Sequence, residues 1–143
     1  MTWRNALEKN IRSVEDLAAL VDLSPDEVAR LSAAVERHPM SITPYYLSLI
    51  DWSDPDDPIR KMAVPTGDEL NPIGSYDTSG ESENTVLPGL QHKYGQTALV
   101  LTTNQCAVYC RHCFRKRLVG LPSAEILQRF DDAARYIERR GEI

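Results

Sequence analysis

No stretch of this sequence stays apolar for anything near the roughly 20 residues that a membrane-crossing helix needs, so a helical membrane protein is not expected. The opening residues Met1-Thr2-Trp3-Arg4-Asn5 lack the apolar core of a secretory signal, and the expectation is a cytoplasmic protein. Basic residues are in the minority, with 16 Lys and Arg against 21 Asp and Glu and a net charge of −5. Nucleic acids and anionic membranes are held mainly by basic surface, so neither is an expected partner. Internal repeats are absent. Cysteine is scarce, three in 143 residues, and an odd number cannot all pair in disulfides within the chain. Three clustered cysteines without a secretory signal point instead to metal or redox chemistry in a reducing compartment.

What is present centres on those cysteines. Cys106-Ala107-Val108-Tyr109-Cys110-Arg111-His112-Cys113 follows an apolar segment and precedes the basic group Arg115-Lys116-Arg117. Thiolate is the soft ligand that iron-sulfur clusters and zinc select, and three within so short a run can converge on one centre. Structural zinc takes four ligands and a [4Fe-4S] cluster usually takes four cysteines, so three leave a metal position open for a substrate. A zinc knuckle with His92 or His112 as fourth ligand stays open at this point.

A chain of this length suits a single domain, and its 42% apolar content suits a soluble core. Residues 1–50 read as a helical layer. Ser13 and Ser24 each stand three residues before an acid, and Pro25 follows Ser24, which are helix-start signals. Leu17, Leu20 and Val21 form one apolar face and Val28, Leu31 and Val35 the next; Thr43-Pro44 repeats the cap-then-proline device before Tyr45 to Ile50. Residues 51–96 read as an irregular linker or wrapping segment, rich in Asp, Pro and Gly. Asp51, Asp54, Asp56 and Asp57 lack the alternation of a calcium loop and read as turn formers, while 71–84 is mostly polar.

Residues 97–143 read as α/β. Thr97 to Thr102 suits a buried strand with the cysteines at its C-terminal end, where parallel α/β folds place their chemistry. Ser123 is expected to cap a helix whose core stripe is Ile126, Leu127, Phe130, Ala133, Ala134 and Ile137, with Gly141 past its end. One strand and one helix cannot make a parallel sheet. The expectation is therefore the first strand-loop-helix unit of a larger, truncated barrel.

Four motifs carry a resemblance. Ile42-Thr43-Pro44-Tyr45-Tyr46-Leu47-Ser48-Leu49-Ile50-Asp51, Asp57-Pro58-Ile59-Arg60-Lys61, Pro88-Gly89-Leu90-Gln91-His92-Lys93-Tyr94 and Tyr109-Cys110-Arg111-His112-Cys113-Phe114-Arg115-Lys116-Arg117 resemble the lysine 2,3-aminomutase family of radical S-adenosylmethionine (SAM) enzymes, in order, over nearly the whole chain. The resemblance implies a helical layer followed by a partial (β/α) barrel. It implies that Cys106, Cys110 and Cys113 ligate a [4Fe-4S] cluster whose fourth iron binds SAM. One electron, from a donor such as a flavodoxin or ferredoxin, then cleaves SAM to methionine and a 5′-deoxyadenosyl radical.

The second implied cofactor is pyridoxal 5′-phosphate (PLP). His112 falls at the residue near the SAM adenine, Tyr94 at the ring that stacks on PLP, Lys93 at a contact to its phosphate, and Arg115 at the contact to the substrate carboxylate. The bland readings are a packed aromatic for Tyr94 and a solvated basic patch for Arg111, Arg115, Lys116 and Arg117. This chain departs from the family's lysine enzymes, which usually carry arginine where Lys93 and Thr97 stand. The PLP-binding lysine, the glycine-rich SAM segment and the acids that read the distal amine are expected further on. The implied activity is a 1,2-amino shift from the α to the β carbon of an amino acid, L-lysine first and glutamate, arginine or protein-bound lysine as alternatives, in a homo-oligomer when full length. From another class, the competing expectation is a metal-binding or regulatory module without catalysis.

Overall fold

The computed structural model describes residues 3–71 and 73–143; Met1 and Thr2, at the head of the expected helical layer, and Pro72, in the polar stretch 71–84, lie outside the described residues. Helices α1 (Trp3–Glu8), α2 (Val14–Ala18), α3 (Pro25–Arg37) and α4 (Pro44–Leu47) open the chain. The start signals are where the helices start. Ser13 Oγ accepts from Asp16 N at 3.0 Å, and Thr43 Oγ1 accepts from Tyr46 N at 3.1 Å. At α3 the exchange is reciprocal, with Ser24 Oγ accepting from Glu27 N and Glu27 Oε2 accepting from Ser24 N, so two otherwise unpaired amides are satisfied together.

The larger core lies under these helices. It gathers Leu17, Met40, Ile42, Leu47, Ile50, Ala63 and Val64, with Ile11 and Val108 packed against it. Leu17 and Ile42 are fully buried, each adding roughly 2 kcal/mol of transfer free energy. Ile11 and Ile42 exchange both backbone hydrogen bonds, at 2.8 and 3.0 Å, pinning the entry of α4 to the end of α1.

Residues 51–96 carry more regular structure than the irregular linker expected of them. Asp57 Oδ1 accepts from Arg60 N at 2.6 Å and starts helix α5 (Pro58–Ala63); a 3₁₀ turn follows at Gly67–Leu70, then helix α6 (Glu81–Asn84) and strands β1 (Thr85–Leu87) and β2 (Leu90–Tyr94). Strand β3 (Thr97–Val100) completes a three-stranded sheet in the order β1-β2-β3. Leu90, Leu127 and Ala133 form a second, smaller core between this sheet and helix α7 (Phe130–Glu138).

Two expectations are corrected here. The strand at Thr97 exists, but it pairs antiparallel with β2, and its residues alternate between exposed and half-buried instead of being buried. Only Gly95 and Gln96 separate β2 from β3, and a two-residue connection permits an antiparallel return alone. Strand pairing among the described residues is antiparallel throughout, so the mixed α/β character stands and the parallel barrel unit is not seen. The last helix begins at Phe130, not at Ser123. Leu127 N donates to Leu101 O at 2.8 Å, and Ser123 Oγ accepts from Glu125 N, closing a local turn instead of capping a helix.

Candidate functional site

The cysteine loop hangs between β3 and the stretch 118–121, and Asn104 fastens both ends. Its Nδ2 donates to Leu121 O at 2.5 Å, and its carbonyl accepts from Gly120 N at 3.1 Å. Gly120 has φ +73°, and a Cβ there would stand 2.4 Å from Tyr109 Cε2, so the loop closes over the Tyr109 ring only because this position is glycine. The helical layer holds the middle of the loop by its backbone. Tyr109 N donates to Ser41 O at 2.9 Å, Arg111 N to Met62 O at 2.7 Å, and Asn10 Nδ2 to Ala107 O at 2.9 Å.

Arg111 is buried rather than part of a solvated patch. Its guanidinium donates to Glu69 through Nε at 3.0 Å and Nη2 at 2.5 Å, and to the carbonyls of Pro39 and His38. Lys116 Nζ lies 2.6 Å from Glu69 Oε2. Burial pushes the Glu69 carboxyl up, but the hydrogen bonds from Arg111 and Lys116 outweigh it and hold the group below its usual range. Burial, then Lys116 and Arg111, hold the neighbouring His38 ring below its usual value, and its Nε2 meets Tyr76 OH at 2.9 Å.

Arg115 and Arg117 share a second buried acid. Arg115 Nε donates to Glu81 Oε1 at 2.8 Å and Arg117 Nη2 to Glu81 Oε2 at 2.9 Å, while Arg117 also pairs with Glu125. Neither Glu69 nor Glu81 was legible as a site residue. Thr66 and Glu69 have capping-box spacing, which marks a local turn and not a partner 42 positions on; for Glu81 the sequence holds no signal.

Cys106 is exposed, Cys110 and Cys113 are half-buried, and all three are free. Among the described residues no group of three or more His, Cys, Asp and Glu side chains is gathered as a metal-ligand set. The donor chemistry nevertheless fits a cluster, since three soft ligands share one short, partly open loop, and ligand sets are seldom preformed before metal arrives. His92 does not fit a fourth ligand, because its Nδ1 meets Tyr136 OH at 3.0 Å and its Nε2 meets Gly95 O at 3.1 Å. His112 is exposed on the loop.

Lys93, Tyr94, Thr97 and Arg115 come together. They line one pocket of about 370 Å³ along with Glu81 and Phe114. Lys93 Nζ donates to Ser79 O at 2.9 Å, Tyr94 is 67% exposed, and the Arg115 guanidinium carbon lies 4.5 Å from the centre of the Phe114 ring. Two cations, one acid and an open aromatic face suit a small anion with a planar or aliphatic body. That is also the chemistry a phosphate and a flat ring would need, so these residues fit PLP. The cysteines and His112 are not in this lining, though Phe114 and Arg115 follow Cys113 directly.

No family model matches the chain. Curated relatives do. L-lysine 2,3-aminomutase of Clostridium subterminale is 39% identical over 144 residues, covering 99% of this chain and 35% of the relative. The enzyme of the same name from Fusobacterium nucleatum is also 39% identical, over 99% of this chain and 34% of its own length. Glutamate 2,3-aminomutase of Clostridioides difficile is 34% identical over 82% of this chain and 29% of its own length. The chain spans about a third of the length of the curated relatives it matches. The resemblance carried by the four motifs is borne out, since homologues along almost the whole chain bear the name lysine 2,3-aminomutase.

Proposed function

We propose that this chain is the cluster-bearing portion of a radical SAM, PLP-dependent amino-acid 2,3-aminomutase acting on L-lysine, with a flavodoxin or ferredoxin as electron donor and a homo-oligomeric full-length form. The observation that carries the reading is the shared pocket of Lys93, Tyr94, Thr97 and Arg115, whose lining includes Phe114 and Arg115, the two residues that follow Cys113 in the sequence. Cys106, Cys110 and Cys113 would hold the [4Fe-4S] cluster, His112 would lie against SAM, and Lys93 and Tyr94 would hold PLP. When bound, these groups supply one-electron cleavage of SAM and a carrier for the migrating amino group.

The chain's own residues bind and orient. Arg115 receives the substrate carboxylate, a task that suits a planar fork of donors. Lys93 serves a phosphate as a point charge, and Thr97 adds a hydroxyl where an arginine would add a second fork, so this phosphate is held by fewer donors. Leu99 and Phe114 give the pocket apolar walls.

The test is the full-length polypeptide, reconstituted anaerobically with iron, sulfide and PLP and given SAM, a reductant and L-lysine. Expected are about four irons per chain, 5′-deoxyadenosine, and 3,6-diaminohexanoate by mass spectrometry. Turnover of L-glutamate instead would reassign the substrate. Stoichiometric zinc with no 5′-deoxyadenosine would overturn the reading in favour of a non-catalytic module.

A further inference from the structure

We infer that Glu81 is a positioning residue for the substrate carboxylate, setting the aim of Arg115; the inference rests on the role proposed for Arg115 above. Glu81 is 5% exposed, and a carboxylate that deep needs compensation. It has two partners. Oε1 takes the Nε–H of Arg115 at 2.8 Å and Oε2 takes a terminal N–H of Arg117 at 2.9 Å, so each oxygen faces a different guanidinium.

The consequence lies in which edge of Arg115 is consumed. A guanidinium has five N–H donors, and Glu81 engages the one nearest the chain. The terminal nitrogens stay available for the two parallel hydrogen bonds by which arginine grips a carboxylate. The Phe114 ring covers one face of the same guanidinium at 4.5 Å, so edge and face are both fixed. A free arginine side chain loses rotamer freedom on binding, and a fork already held loses less of it.

Glu81 is itself held from the backbone side. Its amide donates to Asp77 Oδ1 at 2.6 Å and its carbonyl accepts from Thr85 Oγ1 at 2.7 Å, which ties the turn of α6 to the start of β1. Arg117 and Glu125 complete a charge-balanced chain of Arg115, Glu81, Arg117 and Glu125. Within the pocket lining the charged groups are Lys93, Arg115 and Glu81, a net charge of +1, which matches one carboxylate or one singly charged phosphate. Glu81 is therefore not a ligand for the amino acid. It sets the direction from which Arg115 takes it.

The experiment compares binding of L-lysine with that of L-lysinamide, which lacks the carboxylate, to the reconstituted full-length holoprotein, by calorimetry and by KM against kcat. Wild type is expected to prefer the carboxylate at least tenfold. Glu81→Gln keeps the size but presents an N–H to one of the two guanidinium groups, and it should lose most of that preference through KM while kcat at saturation changes little. Glu81→Asp should recover part of it. In an Arg115→Ala background, Glu81→Gln should change the preference no further.

A Glu81→Gln protein that unfolds at lower temperature yet keeps the full carboxylate preference would overturn the inference and leave Glu81 a structural acid. If Glu81→Gln does not fold, Glu81→Asp decides by the same ratio: a reduced preference supports the inference and an unchanged one overturns it. A wild type that binds neither compound and turns over nothing would sink the aminomutase reading itself, a distinct outcome.

Discussion

Arg111 and Glu69 face each other across 42 positions of sequence, Nε to Oε1 at 3.0 Å and Nη2 to Oε2 at 2.5 Å, almost closed off from solvent at 4% and 10% exposure. The pair joins the middle of the cysteine loop to the 3₁₀ turn Gly67–Leu70. Arg111 sits between two cysteines, yet its guanidinium serves the helical layer.

Removing one partner of a buried pair leaves an unmatched charge. Glu69→Ala should therefore destabilise the chain by about 3 kcal/mol, since it strands both Arg111 and Lys116. Urea unfolding of the two proteins measures this, and a loss under about 1 kcal/mol would show that the pair is screened in solution.

Glycine at the β1–β2 connection is required by a close approach. Gly89 has φ +81°, and a Cβ there would lie 2.3 Å from the backbone nitrogen of Leu127. Gly89→Ala should cost more than about 2 kcal/mol, because a left-handed backbone and a backbone collision add. Gly95 has nothing within 4 Å of its would-be Cβ, so Gly95→Ala should stay within about 0.5 kcal/mol by the same measurement.

Acid should loosen the turn before β1. Hydrogen bonds from the Ser82 hydroxyl and amide and the Glu81 amide hold the Asp77 carboxyl at about 2, against its ordinary 3.8. A carboxyl lowered in the folded state contributes stability that is complete above 3.8 and is lost as pH falls from there to about 2. Unfolding free energy measured across that range should fall less steeply for Asp77→Asn than for the natural chain.

The proposed function makes the cysteines ligands and not core. Cys106→Ala, Cys110→Ala and Cys113→Ala should each lower iron retained after anaerobic reconstitution from about four per chain to under about one. None of the three side chains is buried, so the metal-free unfolding midpoints should coincide with wild type. One variant that still holds a full iron complement would remove that cysteine from the ligand set.

Local capping chemistry was the legible part of the fold. Ser24 with Glu27, Ser13 with Asp16 and Thr43 with Pro44 mark helix starts because their signals lie within four residues and need no distant partner. Strand β3 was legible as a strand but not as an antiparallel one, although Pro88-Gly89 and Gly95-Gln96 are turn pairs whose flanking runs form a three-stranded meander. Those runs are polar at half their positions, as strands open to solvent on one face are, so apolar content alone hides them. At Ser123 the local signal lost to tertiary pairing, because Leu127 gives its amide to Leu101. In the candidate site, Lys93, Tyr94 and Arg115 were readable through the motifs and do meet in one pocket, while Glu69 and Glu81 were not. An acid that matters through a partner 34 to 42 positions away, as Glu81 and Glu69 do, has no signature of its own.

Three contacts that grip the cysteine loop fall on its main-chain atoms, the amides of Tyr109 and Arg111 and the carbonyl of Ala107, and one loop side chain, Arg111, adds its guanidinium to the carbonyls of Pro39 and His38. Holding and acting are thereby divided between two parts of the same residues. The peptide groups and the buried Arg111 guanidinium fix where the loop lies, and the thiols are released from any duty in keeping it there. A side-chain change at Ala107, which is exposed and held through its carbonyl, should thus retune the surroundings of the cysteines without moving them, whereas Val108 packs on the larger core and lacks that freedom.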